Sequence, residues 1–259
     1  WTQISNVAEV LDRTILFYPE RLQKITNVLL RNLDALTDLG LANGKMGVAL
    51  YLYRLNKVVN DQYLENVADE LFNTVIDSIA KENISWDFTQ GLSGIGWAIL
   101  DGGIRCSDKS ILKDMDKIAI RILRLQSYNF DIIVGYLLYG IGRINPSVKH
   151  IRQKTKMALI ESIQLQVYNL LLLSNKHHFS IKQDGLKDFD ITWYFPWLLW
   201  GLIQLKQLDV AHSLSEKLIS SFLPQVELIQ QNREIHFCNR FFLYLVLLNG
   251  GYHVSFDLP

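Results

Sequence analysis

Gly44, Gly91 and Gly135 each lead into a run of apolar residues, and they stand 47 and 44 positions apart. That period holds one pair of helices, so the repeat points to stacked helix pairs. The runs 46–55, 95–100, 132–144, 197–205 and 241–248 are apolar almost all round, the mark of helices buried on every side. Between them, 61–81, 109–126 and 209–223 carry one apolar stripe at three- and four-residue spacing, as surface helices do. Segments 19–34 and 150–173 also read as helical. Pro224 is expected to end the 209–223 helix. The alternation predicts an all-α fold in which an inner ring of helices is wrapped by an outer one.

The repeat has a recognisable head. It reads GLANGKMG at 40–47, DFTQGLSGIGW at 87–97 and DIIVG at 131–135. A glycine lacks Cβ, so the chain can turn tightly there into the inner helix. Asp87 and Asp131 each lie four residues before the glycine. Two later copies are worn, with Pro196 and Arg240 at the glycine position. Leu138, Leu199 and Leu243 stand where the second glycine would be. Inner helices that start on the same side gather partial positive charge at a shared mouth, which favours anionic groups.

Composition removes several classes. Lys+Arg and Asp+Glu number 26 each, so the chain has no net charge to draw it to nucleic acid or an anionic membrane. With 49% apolar residues, intrinsic disorder is excluded. The two cysteines, Cys106 and Cys238, lie 132 positions apart, which rules out a disulfide scaffold and a four-cysteine zinc module. No secretory leader is visible in residues 1–12. The longest apolar stretches, 193–203 and 241–248, are too short to span a bilayer. A soluble cytoplasmic protein is expected, with no nucleic-acid partner and no membrane insertion.

At the repeat heads the sequence resembles the lanthionine synthetase C-like family, the peptide cyclases of lanthipeptide biosynthesis. GLANGKMGVALYLYRL and FTQGLSGIGWAIL are similar to that family's inner-helix starts, and Asp131 with Gly135 matches its D-x-x-x-G start. The resemblance covers about 40–250. It implies an α/α toroid, here a single domain over 1–259 of about five helix pairs, an incomplete barrel where the family has seven. It also implies a central zinc ion held by Cys, Cys and His, which activates a peptide thiolate for addition to a dehydrated Ser or Thr. Free thiols are mostly protonated at neutral pH, and coordination removes the proton.

Carried over residue by residue, the zinc ligands are incomplete. The family's first ligand cysteine falls on Tyr194, next to a retained Trp193. The second falls on Cys238, and the ligand histidine falls on Asn239. His236 precedes Cys238 by two residues, which on a helix points elsewhere. One thiolate does not make a zinc site, which needs at least three protein ligands. The expected cofactor is therefore none, with zinc only if the family site is retained in another way.

The candidate catalytic residue is Asp131, as general acid/base or as a helix cap. Asp87, Trp193, Tyr194, His236 and Asn239 are candidates for lining a cavity or contacting a peptide, with Asp87 read first as a cap. Trp193, Tyr194, Phe195, Trp197 and Trp200 are core by default. Cys106 reads as an incidental thiol, and His177 and His178 as solvated loop. The leading functional reading is a protein of lanthipeptide-type modification that lacks the zinc-dependent cyclase step and binds a peptide or a modifying enzyme. A second reading is a carbohydrate-active enzyme on the same architecture. It uses Asp87 and Asp131 as paired carboxyls, roughly 5 to 9.5 Å apart. A third is a helical-repeat interaction scaffold with a filled centre.

Overall fold

The computed structural model describes residues 19–79, 81, 84–101, 109–125, 129–146, 151–176, 191–231 and 245–252, and among them there is no strand. The chain divides into two compact units, Trp1–Asn83 and Ile84–Pro259.

In the first unit, α1 (Pro19–Arg31) is followed by a 3-10 turn at Leu33–Ala35, then α2 (Lys45–Val59) and α3 (Gln62–Ile79). Asn60 ends α2 in the left-handed region with φ of 54°, a conformation asparagine tolerates better than most residues. The Asp61 side chain then accepts from the Tyr63 amide at 2.9 Å and so caps α3. Ala49, Leu52, Leu64, Ala68 and Leu71 form the core between α2 and α3. The Thr26 and Tyr51 hydroxyls meet at 2.7 Å and tie α1 to α2. The 46–55 run is buried less completely than its composition suggests, since Arg54 is exposed and Tyr51 and Tyr53 are half-buried.

The second unit holds α4 (Leu92–Asp101), α5 (Lys109–Arg124), α6 (Phe130–Ile144), α7 (Gln153–Lys176), α8 (Ile191–Gln207) and α9 (His212–Gln231). Helices α4, α6 and α8 pack side by side, and so do α5, α7 and α9 outside them. Each inner helix also rests on the outer helix that follows it. This is the inner and outer layering of an α/α toroid. The inner layer is buried all round: four successive residues of α6, Tyr136, Leu137, Leu138 and Tyr139, each have 0% exposure. A helix without a polar face keeps its side chains from water only when other elements enclose it.

Two local expectations are corrected. Pro224 does not end its helix, because α9 continues to Gln231. Pro224 and Ser220 are both exposed, so the Ser220 carbonyl freed by the missing N–H meets solvent. Buried Phe222 and Val226 hold the helix on either side of the proline. Gly135, in turn, is not the tight entry to its helix. α6 begins five residues earlier, at Phe130, behind an Asn129 cap whose side chain accepts from the Ile132 amide.

Candidate functional site

The loop before α4 is shaped by its own sequence. The Leu92 amide donates to the Ser85 carbonyl at 2.9 Å. The Asp87 carboxylate accepts from the Ser85 hydroxyl at 2.6 Å and from the Gln90 amide at 2.7 Å. A Cβ on Gly91 would sit 2.4 Å from the Ser85 carbonyl oxygen and 2.6 Å from the Asp87 nitrogen. Only glycine fits this crossing of the chain over itself. The first unit repeats the motif: the Lys45 amide donates to Asp38 at 2.9 Å. A Cβ on Gly44 would meet the Asp38 carbonyl oxygen at 2.7 Å and the Gly40 nitrogen at 2.4 Å. The two heads are thus the same turn, made by residues at the same offsets from the glycine.

Phe88 locks the loop to the inner layer. It is 1% exposed, with ring centroids 5.9 Å from Trp97 on α4 and 5.5 Å from Trp197 on α8, both edge-on. Trp97 and Trp197 themselves meet edge-on at 5.2 Å, a geometry that aromatic quadrupoles favour. Trp200 joins at 6.5 Å from Trp97, and Phe195 packs against Phe222 of α9 at 5.1 Å. These rings are packed partners of one another.

Three N-terminal turns meet beside this aromatic cluster. The Thr89 hydroxyl, at the head of α4, donates to Asp131 Oδ2 at 3.5 Å. Asp131 lies in the first turn of α6. The Tyr194 hydroxyl, in the first turn of α8, hydrogen-bonds Asp131 as donor and lies beside the Thr89 hydroxyl. The structure therefore brings Asp87, Asp131 and Tyr194 together, and adds Thr89. Asn129, rather than Asp131, caps α6, which leaves the Asp131 carboxyl directed across to its neighbours.

Opposing forces act on Asp131, and burial wins. Burial first, and the nearby Asp87 charge second, push its pKa above the ordinary 3.8. The Tyr194 hydroxyl and the Phe88 and Thr89 amides pull it back down. The helix end also favours the charged form, yet the net direction is upward. Tyr194 is held protonated: burial raises its pKa above 10.0, with Asp131 as the next cause. Tyr136 is pushed the same way by burial and then by Asp87.

Two further hydroxyls were not singled out from sequence. Ser93 and Tyr136 have 0% exposure, and neither hydroxyl has a hydrogen-bond partner among the described residues. A Cβ on Gly135 would lie 2.0 Å from the Ser93 hydroxyl oxygen and 3.0 Å from Phe88 Cβ. The third glycine thus serves close packing of α6 on the head of α4. Thr89 had a readable signal, since it sits inside the loop that the Asp87 carboxylate closes. Ser93 and Tyr136 carried none beyond their place in apolar runs.

Trp193 lies in α8, and its side chain is outside the described residues. His236, Cys238 and Asn239 are also outside them, as are Cys106, His177 and His178. At the position where the resemblance puts a ligand cysteine, the structure has a protonated phenol already donating to a carboxyl. A zinc site there needs a deprotonated thiolate, so Tyr194 does not fit it. Among the described residues, no group of three His, Cys, Asp or Glu is placed to hold a metal ion. No helix among them is long and apolar enough to cross a membrane.

The profile described as "Lanthionine synthetase C-like protein" matches residues 16–184, about two thirds of the chain. No curated protein and no solved structure matches it.

Proposed function

Because the chain belongs to the lanthionine synthetase C-like family, we propose that it acts in lanthipeptide-type peptide modification. In this reading it works in the cytoplasm, without a metal cofactor, by holding a peptide or a partner enzyme. It does not close thioether rings at a zinc centre.

The observation that carries the reading is Tyr194. Its hydroxyl is engaged by Asp131 and Thr89, and burial keeps it protonated. The position is a hydrogen-bond donor and not a metal ligand. Asp131 is the proton-exchanging group of the site, its raised pKa suiting a carboxyl that exchanges a proton nearer neutrality. Thr89 and Tyr194 hold its orientation. Trp193, His236 and Asn239 remain sequence candidates for contacting the bound peptide. Asp87 shapes the loop, with one carboxylate oxygen held by Ser85 and the other by Gln90. That engagement weighs against the carbohydrate-active reading, which needs Asp87 free to exchange a proton with a substrate.

The test pairs elemental analysis with a substrate assay. The purified chain is incubated with a dehydrated, cysteine-containing peptide, and free thiol is followed, because ring closure by addition leaves the mass unchanged. The expected result is zinc far below one per chain, no loss of thiol, and saturable peptide binding that Tyr194→Ala weakens. Stoichiometric zinc, or thiol loss above the uncatalysed control, overturns the reading.

A further inference from the structure

The outer helix α7 is apolar on two opposite faces. Leu159, Ile163, Val167 and Leu170 have 0% exposure, while Met157, Leu165, Tyr168 and Leu172 are between 39% and 47% exposed. The four exposed side chains are spaced to fall along one side of the helix. The strip from Met157 to Leu172 is about 22 Å long, at about 1.5 Å per residue. Water-facing apolar side chains gathered in a strip of this kind mark a contact surface.

A basic strip borders it. Lys113, Lys117, Arg121 and Arg124 of α5 are all exposed, and their spacing also places them on one side of their helix. Arg124 joins the two strips: its Nε donates to Ser162 Oγ at 3.0 Å and its Nη2 to Glu161 at 3.4 Å. Glu161 lies within the apolar strip, between Met157 and Leu165. The exposed acids of this surface are already matched, Glu161 with Arg124 and Asp114 with Lys117 at 2.7 Å. In a chain whose formal net charge is zero, this face holds a local excess of cations.

We propose that the α5–α7 surface docks an acidic amphipathic helix of a partner polypeptide. Its apolar side lies on the Met157–Leu172 strip, and its carboxylates run along Lys113–Arg124. This is recognition of an apolar helix face with charge selecting the partner. A second copy of the chain brings its own basic strip against this one, so like charges oppose self-pairing. An anionic bilayer is disfavoured by packing. Interfacial helices sink about 5–10 Å into the headgroup region, and α7 is flanked by α5 and α9. The proposal stands apart from the Asp131 site and does not depend on it.

The full chain is titrated into a fluorescent synthetic helix of about five turns, with leucine along one side and glutamate along its flanks. A second peptide carries lysine in place of every glutamate, and vesicles of mixed phosphatidylserine and phosphatidylcholine are the third probe. The expected result is saturable binding of the acidic helix, at least tenfold tighter than of its lysine counterpart. Leu165→Glu with Tyr168→Glu weakens it at least tenfold, as does Lys117→Glu with Arg121→Glu. All four positions are exposed, so both variants keep the wild-type circular dichroism, and loss of the exposed Lys117–Asp114 pair costs the second little stability. Equal binding of the two peptides, absence of saturable binding, or indifference to both variants overturns the proposal. So does preferential binding to the vesicles, or self-association that the variants abolish.

Discussion

The Tyr194 hydroxyl donates to the Asp131 carboxyl and joins the first turns of α8 and α6. The bond favours the charged form of Asp131, against burial and the Asp87 charge, which favour the neutral form. Tyr194→Phe removes the donor with little change of volume. The Asp131 pKa is then expected to rise further above 3.8, read from carboxyl carbon shifts across a pH titration. An unchanged or lowered pKa would show that the phenol does not act on this carboxyl.

Asp131 also gives stability a defined pH dependence. Its folded pKa is raised above the unfolded value, so between the two the folded state binds more protons. Stability therefore falls as pH rises from the ordinary aspartate range through the raised pKa, and is level above it. Asp131→Asn has no such proton to lose. The expected outcome is that wild type loses ground to the variant as pH rises through this window, measured as urea midpoints at matched pH. A gap that is constant, or that moves the other way, contradicts the raised pKa.

If the resemblance assigns the ligand positions correctly, zinc affinity is expected only when both Tyr194 and Asn239 carry the family's ligands. Tyr194→Cys with Asn239→His recreates a Cys, Cys, His set with Cys238, the minimum of three protein ligands for zinc. Either single change leaves two, and wild type leaves one. Elemental analysis after dialysis is expected to give close to one zinc for the double variant and a small fraction of one for the others. Zinc retained equally by wild type would place its ligands elsewhere in the chain.

The period of the helix pairs was legible because glycine-headed apolar runs recur at 47 and 44 residues and alternate with segments that carry one apolar stripe at helical spacing. The turn at Gly44 and Gly91 was legible for a related reason, since the same atoms cross in both copies. Gly135 misled because glycine at a helix head and glycine under a neighbouring serine leave the same letter. Pro224 misled because local propensity does not register that its freed carbonyl faces water. Of the candidate site, Asp87 and Asp131 stood out by their places before inner helices, and Tyr194 only through the family resemblance. Ser93 and Tyr136 did not, because a lone hydroxyl in an apolar run has no periodic signature.

Gly135 provides a test of close packing between α4 and α6. An alanine Cβ there would lie 2.0 Å from the Ser93 oxygen and 2.7 Å from its Cβ. Gly135→Ala is expected to destabilise by about 1–3 kcal/mol, the usual range for overpacking. Ser93→Gly clears those atoms, so the double variant should be more stable than the sum of the single effects by at least about 0.5 kcal/mol. Additivity of the two changes in urea unfolding would show that the clash is relieved elsewhere.

Asp116 and Arg143 give the largest expected loss. Their side chains are each 5% exposed, and the guanidinium donates from Nε to Oδ1 at 2.7 Å and from Nη2 to Oδ2 at 2.8 Å. The Tyr139 hydroxyl donates to the same Oδ1 at 2.8 Å, so α5 and α6 are held by one buried carboxylate. Asp116→Ala leaves the guanidinium buried without its counter-charge, a change that costs about 3–5 kcal/mol. Replacing both partners by apolar residues of similar size, Asp116→Leu with Arg143→Met, removes the stranded charge and should recover most of that loss. Denaturant midpoints of wild type, single and double variants decide the matter. A single-variant loss below about 1 kcal/mol would mean that water reaches Arg143 and screens it.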